Sequence, residues 1–160
     1  MSERVLLAGC GDLGLRVAQR LHERGDEVWA LRRTSPADPG VFIRWLCADV
    51  TVAQSLQSLP RGVTQLVYLP APDRRDARAY RALFEDGLRN VLAAVGMATL
   101  HRVLLVSSSA VYGEHAGAWV DELTPTAPLA FNGSVLRDAE QWLAAQCTSS
   151  VTLRLAGLYG

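Results

Sequence analysis

The chain has 160 residues, 49% of them hydrophobic and 20% charged. That is the size and composition of one globular domain, able to bury about 70% of the surface its unfolded form exposes without disulfides or a structural metal. Sixteen basic residues cancel sixteen acidic ones, and the absence of any basic run argues against nucleic acid or an anionic membrane as the main partner. Every basic residue is an arginine, and the sequence contains no lysine.

Cys10, Cys47 and Cys147 are odd in number and share no C-x-x-C spacing, which fits reduced thiols and a cytoplasmic protein. The N-terminus runs into only a short apolar stretch, Val5 to Gly11, too short for a signal peptide or a spanning helix.

In chain order, short apolar runs alternate with longer segments of helical period, the mark of a parallel sheet covered by crossover helices. Strands are predicted at Arg4 to Ala8, Glu27 to Leu31, Phe42 to Cys47, Gln65 to Leu69, Arg102 to Ser107 and Val151 to Leu155. They are rich in Val and Leu with little polar alternation, as expected of strands buried on both faces. Leu13, Val17 and Leu21 mark a helix that Gly25 stops. A second, long helix is predicted from Asp76 to Val95, and a third from about Gly133 to Gln146. Pro36 to Gly40, Pro60 to Gly62 and Pro125 to Pro128 read as loops. The expected fold is an α/β doubly wound parallel sheet, a Rossmann domain with strand order 3-2-1-4-5-6. Ligands of such sheets bind beyond the carboxyl ends of the strands, so functional residues should follow Ala8, Leu31, Cys47, Leu69, Ser107 and Leu155.

Directly after the first strand stands Gly9-Cys10-Gly11-Asp12-Leu13-Gly14, a G-x-G-x-x-G loop in the strand-to-helix setting of a dinucleotide site. Gly9 allows the tight turn, Gly11 lets the backbone approach a pyrophosphate, and Gly14 lets helix and strand pack closely. The amides of this loop, those of Asp12 and Leu13 included, open the helix and suit phosphate charge. At the end of the second strand an NAD site usually carries an acid; here the chain reads Arg32-Arg33. Two guanidiniums suit the 2'-phosphate of NADP, with NAD still possible, and the competing reading is a pair of solvated loop charges. Asp49, before Val50, either accepts from an adenine amino group or is a helix cap before Val52. Leu69 and Pro70, at the exit of the fourth strand, border the same switch point.

The glycine loop, Asp49-Val50 and Ser107-Ser108-Ser109-Ala110-Val111-Tyr112-Gly113 after the fifth strand together resemble an extended short-chain dehydrogenase/reductase of the NAD-dependent epimerase/dehydratase family. Val120-Asp121-Glu122 with Pro125 and Pro128 is similar to that family's acidic-then-proline segment, and Arg154 to Gly160 resembles its sixth strand and exit loop. The resemblance implies an oxidoreductase binding a dinucleotide and a nucleotide-sugar or a carbonyl substrate, with oligomers possible. It also implies that residues 1–160 are a dinucleotide-binding domain, either of a longer protein and ending before its substrate domain, which the resemblance favours, or as a natural minimal form. Two departures stand out. The glycine loop lacks one spacer residue of the extended pattern, and the family's Tyr-x-x-x-Lys pair aligns with Asn132 and Leu136.

Ser108 then corresponds to the family's catalytic hydroxyl, or is only a strand-end serine bonded to cofactor or backbone, as Ser107 beside it could be. Tyr112 keeps a phenol nearby; serving as a base at neutral pH would require a neighbouring cation. The alternative function is a cofactor-binding sensor or partner-binding module from which redox chemistry has been lost. His22, His101 and His115 share no metal-ligand spacing; His115, in the loop leaving the fifth strand, is the one that could touch substrate.

Overall fold

The computed structural model describes residues 2–37 and 39–157. The first apolar run is strand β1 (Arg4–Ala8), and its alternate side chains serve two cores. Leu6 and Ala8 enter one, Val5 and Leu7 the other, all fully buried. β2 (Glu27–Arg32) and β4 (Gln65–Tyr68) flank it in parallel register, pairing Ala8 with Leu31 on one side and with Tyr68 on the other. β3 (Ile43–Cys47), β5 (Arg102–Ser108) and β6 (Ser150–Leu155) complete the sheet, ordered β3-β2-β1-β4-β5-β6 as the sequence predicts. The reversal of strand order at β1 puts the crevice of such a sheet beyond Ala8, where the chain segments leaving β1 and β4 part.

Helix α1 (Asp12–Glu23) covers the face carrying Val5, Leu7, Val28 and Ala30, burying Ala18 there. The opposite face, with Leu6, Leu66, Tyr68, Val103 and Leu105, is covered by α3 (Leu88–Val95) and α4 (Phe131–Gln146). β3 and β4 are joined through a single 3₁₀ turn, Ala53–Leu56, instead of a full helix.

The expected helix from Asp76 to Val95 is not uniform. It begins as α2 (Ala77–Arg81), with the Asp76 side chain accepting from the Ala79 amide at 2.8 Å, and passes through a π-helical segment, Ala82–Gly87, before becoming α3. The widening has a local partner. The buried Tyr68 hydroxyl donates to the Leu83 carbonyl at 2.5 Å, and Gly87 packs so closely that an added Cβ would lie 2.6 Å from that hydroxyl. β2 extends one residue past its predicted end, β4 stops one residue short at Tyr68, and α4 starts two residues early, at Phe131. Leu158 to Gly160, the end of the segment resembling the family's exit loop, lie outside the described residues.

Candidate functional site

The three glycines of the loop after β1 are required for different reasons. Gly9 adopts φ +92°, and a Cβ there would stand 2.4 Å from the Pro70 Cα. Its amide and that of Cys10 both donate to the Leu31 carbonyl, at 3.0 and 3.2 Å, tying the loop to β2. Gly14, buried in α1, faces the Cys10 Sγ, 2.9 Å from where a Cβ would sit. Gly11 differs from both. It caps the start of α1, and among the described residues nothing lies within 4 Å of its Cβ position. Its lack of a side chain therefore serves no packing among the described residues and keeps the approach to the helix start open.

Gly11 opens into a cavity of about 470 Å³ at the carboxyl ends of the first four strands, the crevice expected from the strand order. Gly9, Gly11, Arg32, Arg33, Asp49, Val50 and Pro70 line it, seven residues that the sequence singles out from four separate segments. The far wall is Ala79, Ala82 and Leu83, so the π-helical segment contributes directly to the cavity. Leu69 lies behind this surface in the core around α1, as does Gly14. Asp12 and Leu13 continue away from the cavity into α1, where the exposed Asp12 pairs with Arg16 at 3.1 Å.

Asp49 fixes the turn before Val52 but is not the helix cap, since the 3₁₀ turn Ala53–Leu56 starts from Val52 with no side-chain cap. One carboxylate oxygen accepts from the Thr51 amide and hydroxyl at 2.9 and 2.7 Å, fixing the turn, while the residue also lines the cavity. Cys10 is buried, and burial pushes its thiol up to about 11 although the Arg32 guanidinium pulls the other way. It stays protonated at neutral pH and is no nucleophile.

The two arginines diverge. Arg32 makes no side-chain hydrogen bond or ion pair among the described residues. Arg33 is held by Asp73 in the loop after β4, through two guanidinium nitrogens at 2.5 and 2.6 Å. That hydrogen bonding holds the Asp73 carboxyl below the usual carboxylate range and raises Arg33 further. Asp73 and its neighbour Arg74 also line the cavity, and neither is among the residues that the sequence singles out. The only available signal was a charged run, Asp73-Arg74-Arg75-Asp76, where a sheet of this kind presents a strand-exit loop.

Ser107, Ser108 and Tyr112 form a second group that does not line the cavity. The Ser107 hydroxyl donates to buried Glu140 on α4 at 2.5 Å, and Arg154 of β6 donates to the same carboxylate at 2.8 Å. Arg154 also donates to the Tyr112 oxygen at 2.9 Å and lies over its ring, while the Tyr112 hydroxyl donates to the Asp121 carbonyl at 2.7 Å. Hydrogen bonding to Glu140 drives the Arg154 guanidinium further up, so the cation beside Tyr112 is permanent. The Ser108 Oγ accepts from the Ala110 amide at 3.2 Å, capping the 3₁₀ turn Ser109–Val111 and leaving its own proton uncommitted among the described residues. In the nearby loop, the Nε2 of His115 is buried with no hydrogen-bond partner among the described residues.

α4 carries both residues that the resemblance aligns with the family's pair. Asn132 lies in its first turn, and Leu136 is 4% exposed within the core beneath the sheet. Among the described residues no group of three or more His, Cys, Asp or Glu could hold a metal ion, and no helix is long and apolar enough to cross a membrane.

Residues 5–160 match the sequence model of the NAD-dependent epimerase/dehydratase family. The chain belongs to this family. It is 31% identical to protein YeeZ of Escherichia coli K12, an alignment covering 99% of the chain and 60% of that relative. Among solved structures, a Methylobacillus flagellatus protein described as an NAD-dependent epimerase/dehydratase superposes with a TM-score of 0.83 at 40% identity, over all of this chain and 56% of its own. Bordetella bronchiseptica WbmG, crystallised with NAD, superposes at 0.78 with 25% identity, over all of this chain and 55% of its own. The chain thus spans little more than half the length of these relatives.

Proposed function

We propose that this family member binds a nicotinamide dinucleotide in the cavity at the carboxyl ends of β1 to β4, as the cofactor-binding part of an epimerase/dehydratase-like oxidoreductase. The observation that carries the reading is Gly11, an open position at a helix start where a side chain would meet nothing among the described residues but would fill the approach to the helix amides. The residues present fit the ligand. The amides opening α1 suit the pyrophosphate, Asp49 and Val50 the adenine end, and Arg32 a ribose phosphate, with Arg33 a second ligand for it once it leaves Asp73. Such a cofactor, when bound, accepts or donates a hydride. Binding of NAD by the relative WbmG supports the same assignment.

Hydride transfer to or from a hydroxyl-bearing carbon also requires a group that moves a proton. The chain has neither the family's tyrosine nor its lysine on α4, and its own candidates are the Ser108 hydroxyl and the Arg154-bound Tyr112. Ser108 is the better placed, because the Tyr112 hydroxyl is occupied on both sides. The burial of Leu136 favours a second reading, in which a dinucleotide is bound without turnover and the domain acts as a sensor or partner-binding module.

Calorimetric titration of the chain with NAD and NADP tests the assignment, with Gly11→Val as the control. The expected result is binding by the parent and none by a folded Gly11→Val variant. Equal affinity in the two proteins overturns the placement of the pyrophosphate.

A further inference from the structure

Asp73 and Arg33 belong to different strand exits, 40 residues apart, and meet at the rim of the same cavity. Their pairing is two-pronged, 2.5 and 2.6 Å, the fork geometry in which a guanidinium binds a carboxylate or a phosphate. A second carboxylate, Asp49 on the neighbouring wall, also acts on Arg33 through space. Arg33 therefore points its fork at an acid of the protein's own, whereas Arg32 makes no such pair among the described residues. The end of β2 has no acid to select a ribose 2'-hydroxyl. The nearest carboxylate on the cavity rim paired with this segment comes instead from the exit of β4.

We propose that Asp73 is a specificity-determining residue of the cofactor site: by occupying Arg33 it restrains recognition of a 2'-phosphate and keeps the site open to NAD as well as NADP. This rests on the dinucleotide reading given above. The physical reason is competition. A ribose 2'-phosphate that engages Arg33 must displace the Asp73 carboxylate and then lie beside it as a like charge. Both partners are more than half exposed, with side-chain exposures of 57% for Arg33 and 62% for Asp73. The pair is therefore weak and screened by solvent, a bias on the choice of ligand and not a lock on the site. Removing the carboxylate frees a preplaced guanidinium without disturbing the core, since neither side chain belongs to it.

The experiment is calorimetric titration of NAD and NADP into the parent chain, Asp73→Asn, Arg33→Ala and the double variant, with melting temperatures recorded for each. Asp73→Asn should raise the NADP-to-NAD affinity ratio by about fivefold, the worth of one exposed ion pair that the phosphate no longer has to break. In the Arg33→Ala background the same substitution should change the ratio by less than about twofold, because no fork remains to be released. An unchanged ratio in Asp73→Asn, with both cofactors still binding, overturns the role of Asp73 and leaves the dinucleotide reading intact. A rise that persists without Arg33 assigns the effect to general charge and overturns the proposed route through Arg33. Failure of the parent to bind either cofactor removes both readings together.

Discussion

The backbone of Gly133 lies against the carbonyl of Ala110: a Cβ added to Gly133 would sit 2.1 Å from that oxygen and 2.8 Å from the Pro128 Cβ. The start of α4 is thereby pressed onto the turn that follows β5, with no side chain between them. This close approach sets the distance between the helix and the serine-rich exit loop. It involves backbone on one side, which cannot rotate out of the way.

Gly133→Ala should therefore destabilise the fold even though alanine is the better helix former. Overpacking against a rigid neighbour costs about 1 to 3 kcal/mol, more than the helix propensity gain of about 1 kcal/mol. Urea unfolding should give a lower midpoint with an unchanged slope. A midpoint equal to or above the parent's would mean that α4 moves away from the turn at no cost.

The polar network below this turn predicts an ordering of stabilities. Arg154→Leu strips the buried Glu140 carboxylate of its ion pair and should cost about 3 to 5 kcal/mol. Ser107→Ala removes a single hydrogen bond to the same charge and should cost about 2 kcal/mol. Tyr112→Phe, which removes a half-exposed hydroxyl, should cost less than either. Denaturant unfolding of the three variants checks the order, and a serine variant less stable than the arginine variant would contradict it.

Much of this architecture is legible in the sequence because its signals are local and repeated. The buried strands are apolar runs, and the glycine loop occupies a fixed place between strand and helix, so the sheet order and seven residues of the cavity wall follow from position alone. What escapes are pairings whose partners are far apart in the chain. The π-helical segment is met at the Leu83 carbonyl by the hydroxyl of Tyr68, and a periodicity count over Asp76 to Val95 contains no trace of a residue on β4. Asp73 is one acid in a charged run until the fold brings Arg33 to it. Glu140 likewise reads as one more polar residue of a helix, and only burial between Ser107 and Arg154 gives it a structural role.

The last prediction concerns chemistry. At the position aligned with the family's lysine, Leu136 is packed in the core on the sheet side of α4, so an ammonium there would be buried instead of reaching a cofactor. Restoring the motif by Asn132→Tyr with Leu136→Lys should thus create no activity, and it should destabilise the domain by about 3 kcal/mol or more, the penalty of an unpaired buried charge. The parent is expected to bind dinucleotide without measurable oxidation of reduced cofactor across a panel of carbonyl and nucleotide-sugar substrates. Ser108→Ala should leave that result and the affinity for cofactor unchanged. Turnover by the parent that disappears in Ser108→Ala would identify Ser108 as the proton-transfer group and refute the expectation. Turnover gained by the double variant would place residue 136 within reach of the cofactor, against the packing of α4.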